Sequence, residues 1–186
     1  MSNSVNYGPL SELIGVWKGD KGIDIAPEPD GEENNPYYET ITFTAIGDVT
    51  NAQSQVLAVL HYRQIVSRKS NNQVFHDETG YWMWDSKTGT IMHSLTIPRG
   101  VCVLAGGTNK GELDSDGNTV LEVAASPADK DWQIIQSPFM AANARTTAFS
   151  HKITVGNGKL SYQETTILEI YGKTFEHTDQ NDLVLQ

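Results

Sequence analysis

At 186 residues the chain has the length of one all-β barrel with a single core. A net charge of −10, from 13 Lys and Arg against 23 Asp and Glu, would be repelled by a phosphate backbone or an anionic bilayer, which disfavours nucleic acid and membrane surfaces as partners. One cysteine, Cys102, excludes an internal disulfide and any Cys-based zinc or paired redox site, and it fits a reducing, cytoplasmic setting.

Met1 to Ser4 carry no basic segment leading into an apolar core, and apolar runs such as Val56 to Leu60 are far too short to span a bilayer, so a soluble protein is expected. A short helix over Pro9 to Ile14 precedes Gly15-Val16-Trp17-Lys18-Gly19, which opens the first strand. The Trp17 indole is suited to plug one end of a barrel, and the flanking glycines let the capping segment approach closely. Asp24 to Pro36, rich in proline and acid, reads as a mobile loop inserted after that strand.

From Tyr38 onward the apolar positions recur with period two. Ile41, Phe43 and Ala45 share one face, and strands are expected at Gln55 to Arg68, Val74 to Trp84, Thr90 to Ile97 and Val101 to Gly106. Four more follow at Thr119 to Ala125, Trp132 to Gln136, Ala144 to Val155 and Lys159 to Ile170, the last two joined by a Gly156-Asn157-Gly158 hairpin. The pattern predicts a closed antiparallel β-barrel of about ten strands in one domain over residues 1–186, with little helix beyond Pro9 to Ile14 and a turn near Ser126 to Lys130. A low hydrophobic fraction of 38% fits a lumen that is partly polar.

Asp114-Ser115-Asp116-Gly117-Asn118 lacks the spacing of a calcium loop and reads as a hairpin turn, and no Gly-x-Ser-x-Gly elbow supports a hydrolase. The five histidines form no His-x-x-x-His pair, which disfavours zinc. His76 stands among Asp77 and Glu78, which can orient it, and shares a strand face with Trp82 and Trp84. His177, in Phe175-Glu176-His177-Thr178-Asp179, falls where the final strand approaches a barrel rim.

The Leu13-Ile14-Gly15-Val16-Trp17-Lys18-Gly19 opening, Tyr38-Glu39-Thr40-Ile41, His76-Asp77-Glu78-Thr79-Gly80-Tyr81, Leu160-Ser161-Tyr162 and the late His177 together resemble the nitrobindin-like family of fatty-acid-binding-protein-like barrels. That resemblance implies ferric heme b near the barrel mouth, with nitric oxide binding and conversion of peroxynitrite to nitrate. Carried onto this chain it makes His177 the axial iron ligand, Thr40 the porphyrin neighbour and His76 a second histidine facing the pocket. The sequence departs from the family where Lys21 stands at the third glycine of Gly-x-Trp-x-Gly-x-Gly and Gly22 follows one residue later. Two rivals stay open: a heme-free carrier of an acyl or aromatic ligand, and a non-catalytic barrel whose lumen is filled by Trp82, Trp84 and Met92.

Overall fold

In a computed structural model, which describes residues 5–186, eleven strands form one antiparallel sheet that closes on itself. They are β1 (Gly15–Glu28), β2 (Gly31–Asn51), β3 (Gln55–Arg68), β4 (Val74–Asp85), β5 (Thr90–Ile97), β6 (Val101–Thr108), β7 (Thr119–Ala125), β8 (Gln133–Gln136), β9 (Ala144–Gly156), β10 (Lys159–Ile170) and β11 (Lys173–Leu185). Neighbours in sequence pair as hairpins from β1 to β6, β9 pairs with β10 and β10 with β11, and β1 meets β11 to join the two ends of the chain. Between β6 and β9 one position is shared: β8 pairs with the start of β6, whereas β7 bridges its end and then runs along β9. The result is a closed barrel ten strands around, with no long free edge.

A 3-10 helix over Gly8–Leu13 stoppers one end. Leu10, Leu13 and Trp17 are fully buried there, and the Trp17 indole N–H donates to the Leu13 carbonyl at 2.7 Å, so the plug is tied to its cap. Gly8 has φ +49° and lies against the Trp84 ring, where a Cβ would come within 2.3 Å of a ring carbon, so only glycine fits.

Asp24 to Pro36 is not a loop. β1 and β2 continue through it as a paired hairpin, Ile23 opposite Pro36 through to Glu28 opposite Gly31, with only two residues left for the turn. Its polar residues divide between the two faces: Asp24 and Asn35 are buried, whereas Glu28, Asp30, Glu32, Glu33 and Asn34 are exposed. The prolines cost little because Pro29 lies in the turn and the other two stand just past a neighbouring ladder: β1–β11 pairing ends at Ile25 before Pro27, and β2–β3 pairing begins at Tyr37 after Pro36. The Lys21–Gly22 departure is likewise absorbed in a bulge between Gly19 and Gly22. Gly22 then lies under the Tyr37 ring, where a Cβ would meet a ring carbon at 2.0 Å.

The expected strands are present, with a helix at Pro138–Asn143 (α1) beyond expectation. Ser137 caps α1 by accepting the Met140 N–H at 3.3 Å, and Pro138 occupies its first turn. On β4, Glu78, Gly80, Trp82 and Trp84 point inward while Tyr81 is exposed. On β5 the inner residues are Ile91, His93 and Leu95, which puts Met92 outside and removes it from the proposed lumen filling.

Truncating Trp17 removes a fully buried indole and its bond to the cap, and is expected to cost about 3–5 kcal/mol in a denaturant titration of Trp17→Ala. Stability equal to that of the parent would show that the end-cap packing contributes little.

Candidate functional site

The end opposite Trp17 is open to a cavity of about 570 Å³ inside the barrel. Its two sides differ chemically. β5, β6 and β9 present Leu95, Ile97, Val101, Val103 and Phe149, joined by Phe75 of β4 and Met140 of α1. β1, β10 and β11 present Asp24, Glu164, His177 and Asp179, alongside Ala26, Leu168 and Ile170, and β4 adds His76 and Glu78.

Period two decides which side chains reach the lumen. Along β11 His177, Asp179, Asn181 and Leu183 turn inward and Glu176 is exposed. Along β2 the inward residues are Asn35, Tyr37, Glu39, Ile41 and Phe43. Thr40, between Glu39 and Ile41 and paired with Lys18 and Ile65, therefore faces away from the cavity and does not reach a ligand there. His76 and His177 both lie on the lining.

His177, His76 and His151 each have a carboxylate close by. His177 Nε2 lies 2.7 Å from Asp24 Oδ1 and 3.6 Å from Asp179 Oδ2. His76 Nε2 lies 3.5 Å from Glu78 Oε2, and His151 Nδ1 lies 3.0 Å from Glu164 Oε2, although poorly aligned for a hydrogen bond. Burial pulls the His76 pKa down, but the hydrogen bond and charge of Glu78, with Glu164 and Asp179, outweigh it and raise the value to about 9. His177 is raised for the same reason: burial opposes, and the bond to Asp24 with the charges of Asp179, Asp24 and Glu164 prevails. Asp179 is pushed up to about 7 by burial and by Glu164 and Asp24, against the pull of His177.

Below this layer lies a second one. Glu39, fully buried, accepts from Gln64 Nε2 at 2.7 Å, Asn181 Nδ2 at 2.7 Å and the Tyr162 hydroxyl at 3.0 Å. Burial still outweighs those three bonds and lifts its pKa to about 7. The Tyr162 oxygen also meets the Tyr37 hydroxyl at 2.6 Å. Glu78 accepts from the Tyr62 hydroxyl, whose oxygen is 2.8 Å from His93 Nε2. His93 stacks on Trp82 at 4.1 Å, and burial holds its pKa well below the usual imidazole range.

The family described as THAP4-like, heme-binding beta-barrel domain matches residues 6–184. The chain belongs to this family. The crystal structure of Rv2717c from M. tuberculosis superposes with a TM-score of 0.71 over 98% of this chain and 99% of that one, at 22% identity, a likeness of fold. No curated protein matches the sequence. Sequence reasoning singled out His76 with Glu78 beside it, and His177, but not Asp24 and Asp179, the carboxylates beside His177. The signal for Asp179 was available, because it sits two residues after His177 on the same strand face.

The raised His76 value means that the folded barrel favours the imidazolium. Its contribution to stability is present in full below the ordinary value of 6.5 and is lost as pH rises through about 9. Unfolding midpoints of the parent and His76→Gln should thus differ most in mild acid and converge in alkali. A gap independent of pH would assign the effect to packing.

Proposed function

We propose that this barrel binds a small molecule with an apolar body in the open-ended lumen, its polar end against the histidine–carboxylate wall. The observation that carries this reading is the two-sided cavity, whose Leu95, Val103 and Phe149 face supplies non-directional burial while the opposite face supplies hydrogen bonds. We place the protein in the cytoplasm on its exposed free thiol, Cys102.

The family description raises heme as the occupant. The apolar face suits a macrocycle, and Arg68 and Arg99 on the lining could meet carboxylate substituents. The coordinating end does not fit. His177 Nε2, the nitrogen farther from the backbone and thus the better placed to meet an iron, faces Asp24 at 2.7 Å with Asp179 at 3.6 Å. A porphyrin approaching that nitrogen meets two carboxylates first. Thr40, the other residue expected beside the ring, is on the far side of β2. Axial heme ligation and peroxynitrite isomerisation are accordingly not part of this reading, which is the heme-free carrier.

An environment-sensitive apolar dye should brighten on entering the lumen, and Val103→Trp, which fills the cavity, should abolish the response while leaving the strand spectrum by circular dichroism unchanged. Dye uptake that survives this substitution would place the dye on the outer wall. Hemin added to the parent should give no histidine-ligated Soret band, whereas Asp24→Ala, which clears Nε2, should gain one. A Soret band in the parent that disappears in His177→Ala would establish the heme reading instead.

A further inference from the structure

Asp24 of β1 and Asp179 of β11 stand directly opposite each other across the ladder that closes the barrel, and both point into the cavity. Like charges in that position destabilise a strand pair. Among the described residues no hydrogen bond closes on the Asp179 carboxylate, and the one polar group between the two acids is the His177 imidazole. Asp24 is held in place from behind: its Oδ2 accepts from Asn35 Nδ2 at 3.0 Å, and Asn35 Oδ1 accepts from Arg68 Nε at 3.2 Å. Oδ1 is thereby left directed at His177.

We propose that Asp24, His177 and Asp179 form a binding site for one divalent transition-metal ion at the mouth of the lumen. One donor atom from each residue lies within 4.8 Å of the others. The separations of 2.7 and 3.6 Å from Nε2 to the two carboxylates bracket the about 3.3–3.4 Å expected between donors of a tetrahedral centre with bonds of about 2.0–2.1 Å, so both of these edges lie close to a coordinating arrangement. The cation takes the place of the proton that Nε2 now shares with Asp24, and that proton is released. A single imidazole with two carboxylates suits zinc, manganese or ferrous iron. Three protein donors leave a coordination position open toward the cavity, where a ligand's polar end or water can occupy it. Asn35 is a positioning residue, fixing the orientation of Asp24 as outer hydrogen bonds do around metal ligands.

The site stands apart from the question of what fills the apolar side, so metal uptake and dye uptake can fail separately. Cobalt(II) titrated into the metal-stripped protein should develop the intense visible absorption of a low-coordinate centre at one equivalent, and zinc should displace it. Asn35→Ala should weaken cobalt binding by about 10–100-fold. Asp179→Asn, which keeps the shape of a side chain that no hydrogen bond holds, should weaken it at least as much while leaving the strand spectrum by circular dichroism unchanged. The proposal is overturned if cobalt shows only its aqueous spectrum at stoichiometric protein. Binding that is equally tight in Asp179→Asn and in Asp24→Asn also overturns it, since the ion would then sit elsewhere.

Discussion

The pairing of β1 with β11 is the constraint from which the rest of the molecule follows. It joins segments about 160 residues apart, from Trp17 opposite Leu185 to Ile25 opposite Thr178, and without it the sheet has two open edges and no lumen. The same ladder sets Asp24 beside His177, 153 positions distant. The bulge between Lys18 and Ile23 in this ladder falls where Lys21 N–H donates to Asn181 Oδ1, so a side chain from β11 serves a backbone group that the bulge leaves without a ladder partner.

Burying acid inside a barrel is costly unless partners are built around it, and here they are. Glu39 takes three donors from three strands, and Glu78 takes Tyr62 with His76 close by. These contacts explain the low hydrophobic content. Apolar side chains fill the closed half around Leu60, Trp17 and Leu121, while the open half spends its inward positions on polar groups. His93 marks the junction, with one ring face on Trp82 and Nε2 on Tyr62.

The barrel was legible in the sequence because alternation from Tyr38 onward, turn residues and the Gly-x-Trp opening all point to the same fold. Asp24 to Pro36 misled because prolines and acids ordinarily mark loops. Here the prolines fall in the turn or just beyond neighbouring ladders and the inward polar residues are buried. α1 escaped because six residues held by one cap carry no periodic signal. Within the site, His177 and His76 were readable as residue types, but Asp24 lies across a long-range ladder that no spacing rule reaches. Thr40 shows the other limit: a match by neighbouring residues does not fix which face a strand residue occupies, and one position separates the lumen from solvent.

The shared strand position between β6 and β9 bears on how firmly the wall is held. β8 contributes four paired residues to β6 and β7 a single one, so two short ladders rather than one continuous one hold this stretch of wall. The Trp132 ring covers the join, lying so close over Gly106 that a Cβ there would be 2.0 Å from it. Local unzipping is easiest where ladders are short, and Trp132, packed over Gly106 at this join, is placed to report such an opening through its own fluorescence.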